Sequence, residues 1–324
     1  MQYYVATGLQ RDNQEGFSFH GVFPGYAFTP DGAAIVATAD GKIWKYGLFG
    51  SGARTAIPFT AKIEQTLTEA LRTPRRTGVD DVRARILRWP VESKDGKTLV
   101  FSALGHLYAM PLPAGTPARI TTGADLEYAP SFSKDGRMLT FVGWSDANKG
   151  DVWTMPFPGG PPRKLTTVSG QYVNPSFSPD GSSIVFVAGG GAAFGDDDLS
   201  GELWEEIRVI PSQGGAASYV IGTKNRGPNR RVARPQFDAD GRRIYFVEDA
   251  DAQGPNPPKT VLGSVKPDGT DKRTHLRFTR AEEAMLSPDG RWVAFNEQYN
   301  AWVTALPQLG AQTVDIELGG AALP

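Results

Sequence analysis

Tyr128-Ala-Pro-Ser-Phe-Ser-Lys-Asp-Gly136 and Asn174-Pro-Ser-Phe-Ser-Pro-Asp-Gly181 are one phrase written twice, and the phrase decides the fold. It reads as a short strand running into a tight turn. Pro presets φ, Asp bonds its own backbone, and Gly accepts the positive φ that other residues resist. Working outward, six segments carry it: Phe28-Thr-Pro-Asp31-Gly32, Val91-Glu-Ser-Lys-Asp95-Gly96, Phe132-Ser-Lys-Asp135-Gly136, Phe177-Ser-Pro-Asp180-Gly181, Phe237-Asp-Ala-Asp240-Gly241 and Leu286-Ser-Pro-Asp289-Gly290. Their aspartates lie 64, 40, 45, 60 and 49 residues apart, a unit of about 40 residues with insertions.

Each unit reads as four strands. After the turn comes a continuous apolar run (residues 138–142, 184–187, 244–247 and 292–295), as expected of a strand covered on both faces. A third strand follows, often with an aromatic (Trp44, Tyr108, Trp153, Trp302), then a Gly/Pro turn and a short polar strand such as Arg119-Ile-Thr-Thr122. One such sheet cannot bury both faces alone, whereas repeated sheets packed on one another can. The expected fold is therefore all-β, a β-propeller of six four-stranded blades, rather than a solenoid. Blades are expected at about 20–61, 86–122, 126–167, 171–223, 231–279 and 281–318, within one propeller domain spanning 1–324. Insertions fall at 62–85, 189–201 and 249–258. The last blade is expected to close with residues 313–318 as its outer strand, or with the β-prone residues 1–6.

Composition narrows the chemistry. The chain has 324 residues and a net charge of −1, with no excess that would draw it to nucleic acid or an anionic membrane. Its lack of cysteine excludes disulfides, thiolate catalysis and Cys-ligated metals, and the three histidines (His20, His106, His275) are scattered across the repeat. No run approaches the roughly 18 apolar residues of a spanning helix. The first residues lack the basic and apolar regions of a signal peptide, so the chain as written is expected to be cytoplasmic, or periplasmic or secreted if excised from an exported precursor. Gly-x-Ser-x-Gly, His-Glu-x-x-His, P-loop and dinucleotide motifs are missing, and no cofactor is expected.

The repeated phrases resemble TolB-type propeller repeats, which are relatives of WD repeats. Four further segments, Phe101-Ser-Ala-Leu-Gly-His-Leu-Tyr108, Leu112-Pro-Ala-Gly-Thr-Pro-Ala-Arg-Ile-Thr121, Asp268-Gly-Thr-Asp-Lys-Arg-Thr-His275 and Ala281-Glu-Glu-Ala-Met-Leu-Ser-Pro-Asp-Gly-Arg-Trp-Val-Ala-Phe295, taken in order, resemble the N-terminal propeller of large bacterial amidohydrolase-family proteins. In that family the propeller precedes a metal-dependent barrel, whose His-rich motifs have no counterpart in this sequence. The resemblance thus implies a propeller without the hydrolase activity.

Candidate sites follow from the fold. The first strand of each blade lines a propeller's tunnel, which puts Tyr26, Arg88, Glu127, Tyr172, Arg234 and Glu282 at its mouth as candidate ligand-binding residues. Such mixed aromatics and charges suit a peptide or small polar ligand. The run Asp196-Asp197-Asp198 is a weak calcium candidate without EF-hand spacing. The expected role is a non-catalytic scaffold for a protein or peptide, with a hydrolase domain as its natural partner. The alternatives are an enzyme using the tunnel with a divalent metal, and a TolB-like peptide binder.

Overall fold

A computed structural model describes residue 5 and residues 25–48, 54–67, 83–189, 205–223, 232–250, 260–279, 281, 283–297 and 299–318. Among these the chain is all-β, with 24 strands in six sheets. The first sheet is β1–β4 (Tyr26–Phe28, Ala34–Ala39, Lys42–Gly47, Arg54–Ile57). The second is β5–β8 (Arg88–Glu92, Thr98–Ala103, His106–Pro111, Ala118–Arg119) and the third β9–β12 (Leu126–Phe132, Met138–Ser145, Lys149–Pro156, Arg163–Lys164). The fourth is β13–β16 (Gln171–Phe177, Ser183–Gly189, Glu205–Pro211, Ser218–Thr223) and the fifth opens with β17–β20 (Gln236–Phe237, Ile244–Asp249, Thr260–Val265, Arg273–Phe278). The sixth is β21–β23 (Ala284–Leu286, Trp292–Glu297, Asn300–Ala305), followed by β24 (Val314–Ile316). Within each sheet, consecutive strands pair antiparallel in chain order, the meander of a β-propeller blade. The chain divides into two compact units, 1–81 with the first sheet and 82–324 with the other five.

The repeated phrase folds as one device. In the third sheet the Ser133 hydroxyl donates to Asp135 Oδ1 (2.6 Å) and accepts the Met138 N–H (3.0 Å), while Asp135 accepts the Arg137 N–H (3.1 Å). The same three bonds recur around Ser93–Asp95, Ser178–Asp180 and Ser287–Asp289. Thr29 stands in for serine in the first sheet, and Asp238 alone does both jobs in the fifth. The glycine after each aspartate holds φ between 67° and 78°, which costs a non-glycine residue about 1 kcal/mol. These hydroxyl and amide donors favour the carboxylate form and hold Asp180 and Asp289 at about 2.

In the second unit the sheets stack face to face, and the apolar runs are the reason. Val185 of β14 packs with Ile207, Ile244 and Phe246 on one side, while Ile184 and Phe186 pack with Val152 and Leu165 on the other. Val100 and Leu107 meet Leu139, Phe141 and Met155 between the second and third sheets. Leu262, Leu276 and Phe278 meet Val293 and Phe295 between the fifth and sixth. Burying a side chain such as Phe186 stabilises by about 1.5–3 kcal/mol, and alternate residues of one strand contribute to successive layers.

The last strand departs from expectation. Residues 313–318 do not complete the sixth sheet; β24 instead pairs in parallel with β20, with Leu276 opposite Val314 and Phe278 opposite Ile316. The fifth sheet therefore has five strands and the sixth has three. Ile316 packs against the Leu276–Phe278 layer, so burying that side chain selects the neighbouring edge. Of residues 1–6, only Val5 lies within the described residues.

Candidate functional site

The first strands of the second, third and fourth sheets share an irregularity. Trp89, Ala129 and Asn174 hold φ of 51°, 51° and 52°, and each precedes a proline: Pro90, Pro130 and Pro175. Each coincides with a register slip, between Arg88 and Val91, opposite Thr140–Val142, and between Val173 and Ser176. Proline has no N–H for the ladder, so an extra residue bulges out and the strand re-aims its side chains. Left-handed φ at non-glycine residues stores about 1–3 kcal/mol each and tends to gather at functional positions.

Re-aimed in this way, Trp89 meets Tyr128 of the next sheet, with ring centroids 5.7 Å apart. The two rings belong to a cleft of about 350 Å³, also lined by Ile86, Arg88, Leu104 and Leu126. Its aliphatic lining is exposed: Ile86 at 64%, Leu104 at 55% and Leu126 at 50%. Arg88 is exposed too, its guanidinium 5.8 Å from the Trp89 ring centroid. Tyr128 is fixed by donating its hydroxyl to the Tyr172 carbonyl (2.9 Å), and burial pushes that hydroxyl up to about 12. The tyrosine therefore works as a neutral wall. Aromatic faces, aliphatic edges and one cation suit an apolar group carrying or adjoining a negative charge.

Of the residues expected at a tunnel mouth, Arg88 and Glu127 both line this cleft. The Glu127 carboxylate is engaged inside the fold: it accepts the Thr121 hydroxyl and the Leu107 N–H (3.1 Å), with Arg119 Nη2 at 3.7 Å. His106 Nδ1 lies 3.6 Å from it and has no hydrogen-bond partner. Tyr172 takes part through its backbone, while its own hydroxyl donates to the Val168 carbonyl. Arg234 sits further along, its Nη1 3.3 Å from Glu283 Oε2. Tyr26, 71% exposed, belongs to the first unit. Glu282 and Asp196, Asp197 and Asp198 lie outside the described residues. Sequence reasoning passed over Trp89, Leu104, Leu126 and Tyr128; the X-Pro step three residues before the turn serine was the signal that could have found them.

The sequence carries no Gly-x-Ser-x-Gly motif, yet the fifth sheet sets a serine beside a histidine. Ser264 Oγ lies 2.7 Å from His275 Nε2. Arg243 Nε donates to the same Oγ at 2.7 Å and occupies one of its two lone pairs, so the serine is held from two sides, with one hydrogen shared between its oxygen and His275 Nε2. Arg243 also binds Asp271 (2.8 Å), and Ser264 is fully buried. Burial first, then the charges of Arg243 and Arg273, hold His275 down at about 4. The pair links β19 to β20, and Arg243 ties it to the turn that leads into β18.

No family model matches the chain, and no curated relative does. Among solved structures, it is similar to one described as a TolB of Agrobacterium tumefaciens, at 20% identity and a TM-score of 0.51 over 88% of this chain and 90% of that one. A nidogen/laminin complex gives 11% identity and a TM-score of 0.50 over 84% and 89%. Oligogalacturonate lyase in complex with manganese gives 13% and 0.48 over 83% and 69%. At these identities the likeness concerns fold alone. Six antiparallel meanders, the repeated Ser-x-Asp-Gly turn and the TolB likeness agree: the chain has the fold of a TolB-type β-propeller.

Proposed function

We propose that this chain is a non-catalytic β-propeller that binds a protein or peptide partner at the Trp89–Tyr128 cleft. The observation that carries the reading is the composition of that cleft: two aromatic walls, an exposed aliphatic lining and Arg88 beside it, built on bulges that hold Trp89 at a left-handed φ. Exposed apolar groups around a fixed aromatic pair are the usual anchor of a polypeptide partner. The partner chemistry that fits is an apolar side chain with a carboxylate nearby. The sequence phrases that resemble amidohydrolase-family propellers extend the proposal to an amidohydrolase-type catalytic domain as partner.

The test is site-specific photo-cross-linking from position 104 in an extract of the source cells, with the attached species identified by mass spectrometry. The reading expects a polypeptide, a hydrolase-type one if the extended proposal holds, and expects the cross-link to vanish in Trp89→Ala and Arg88→Glu. A cross-link to small molecules alone, or a polypeptide cross-link indifferent to both variants, would overturn it.

A further inference from the structure

Among the described residues, a specific set of backbone groups of the sixth sheet has no strand beside it. Leu306 N–H donates to the Arg291 carbonyl (2.8 Å), which makes the opposed pair Arg291–Leu306 hydrogen-bonded. With Trp292 opposite Ala305, the bonded pairs then alternate. Ala301, Val303 and Ala305 therefore turn their N–H and C=O groups away from β22. The second and third sheets show what belongs there: the carbonyl of Leu107, equivalent to Ala301, accepts the Ile120 N–H, and that of Val152 accepts the Leu165 N–H. Both donors lie at the fourth strand. In the sixth sheet no described strand takes that place, because β24 is committed to β20.

A side chain points to the same edge. Glu248 and Glu297 occupy the same position, the fifth residue of the second strand counted from Ile244 and Val293 respectively. Each is buried, at 4% and 3% exposure. Glu248 is neutralised by Lys272, which leads into the fourth strand and lies across the Phe246 ring to reach it. Glu297 Oε2 is buried with no hydrogen-bond partner. A buried carboxylate oxygen without a partner costs several kcal/mol, and the fourth strand, which no described residues supply at this edge, is the element that supplies the cation next door. The edge itself, Asn300-Ala-Trp-Val-Thr-Ala305, carries no charge or proline of the kind that keeps sheet edges from pairing. Val303 is 67% exposed.

We infer that the outer edge of β23 receives an extended strand of a partner polypeptide, which pairs with Ala301, Val303 and Ala305 and brings a lysine or arginine to Glu297. This site is separate from the Trp89–Tyr128 cleft and does not depend on it.

The probe is a synthetic nine-residue peptide copying residues 270–278 (Thr-Asp-Lys-Arg-Thr-His-Leu-Arg-Phe), the strand that serves this role in the fifth sheet. Amide hydrogen exchange of the full chain should show fast exchange at Ala301, Val303 and Ala305 without peptide and protection with it. Replacing the peptide's lysine by leucine should weaken binding about tenfold against the unaltered chain, the scale of one charge-assisted contact. It should have little effect against Glu297→Gln. Val303→Pro, which removes an N–H that β22 does not use, should abolish protection while leaving the fold intact. Slow exchange in the peptide-free monomer would mean that the chain covers the edge itself and would overturn the inference. Protection that tracks chain concentration and a dimeric mass would assign the edge to a second copy. No protection at millimolar peptide would leave the edge without this function.

Discussion

The fifth and sixth sheets begin from corresponding Asp-Gly turns and diverge within two strands. In the fifth, Arg243, Ser264 and His275 form a buried polar network that reaches the exposed Asp271, Lys272 caps Glu248, and β24 extends the edge. In the sixth, the residue equivalent to Arg243 is Trp292, 48% exposed, and the residue equivalent to Glu248 is the uncapped Glu297. The comparison teaches that a blade's second strand is set by its own turn and by the layers that stack on it. The fate of its buried charges depends on whether a fourth strand arrives.

The largest effect expected from breaking this comparison is in Arg243. Arg243→Met removes the donors to the Ser264 hydroxyl and to the Ser264 and Asp271 carbonyls, while the exposed Asp271 carboxylate keeps Arg273, and should cost about 3–5 kcal/mol in urea unfolding. Trp292→Met, at the equivalent position, should cost less than about 1 kcal/mol, as expected of a half-exposed side chain. Equal losses would remove the distinction between the sheets.

The pH dependence comes next. His275 is held at about 4 against an ordinary value of 6.5, so the unfolded chain binds a proton that the folded chain refuses between those values. Its contribution is fully present above pH 6.5 and is lost as pH falls through 4, at most about 3 kcal/mol in all. Unfolding measured at pH 7, 5.5 and 4 should show a slope that His275→Gln flattens. Parallel slopes for the two proteins would show that the fifth sheet's histidine does not titrate in this way.

A finer test sets the two glutamates side by side. Glu248→Gln breaks an ion pair with Lys272, which is itself partly exposed and can turn to water, and should cost about 1–2 kcal/mol. Glu297→Gln alters a carboxyl group whose Oε2 is buried without a partner and should be neutral or stabilising by up to about 1 kcal/mol in the peptide-free chain. Matching destabilisation, read from thermal melts, would mean that Glu297 already has its cation.

The smallest effect, and the control, is in the turns. Gly241→Ala and Gly290→Ala force φ of 72° and 69° on a residue with Cβ, and each should lose about 1 kcal/mol. Their equality would show that the turns are indifferent to what happens at the sheets' outer edges.

The same division explains how much was legible in the residues. Ser133, Asp135 and Gly136 make their bonds within five residues, so chemistry and spacing specify the turn without reference to the rest of the molecule. The run Ile184-Val-Phe-Val187 announces a strand covered twice because both faces demand apolar side chains. The cleft was only half legible. Arg88 and Glu127 stood out as charged residues on first strands, but the slip at Trp89-Pro90 decides that Trp89 faces Tyr128. Glu127 turns instead to Thr121 and Leu107.

By itself, then, the sequence determined the repeat, the turns, the apolar second strands and the propeller fold, all properties of short-range hydrogen bonding and side-chain solubility. Tertiary structure alone decided the pairing of Ser264 with His275, the cleft at the second sheet's bulge, the different fates of Glu248 and Glu297, and the parallel docking of β24 on β20. Backbone N–H and C=O groups are alike in every strand. Which edge a strand joins is set by the layer its side chains enter, and for β24 that is the layer where Ile316 meets Leu276 and Phe278.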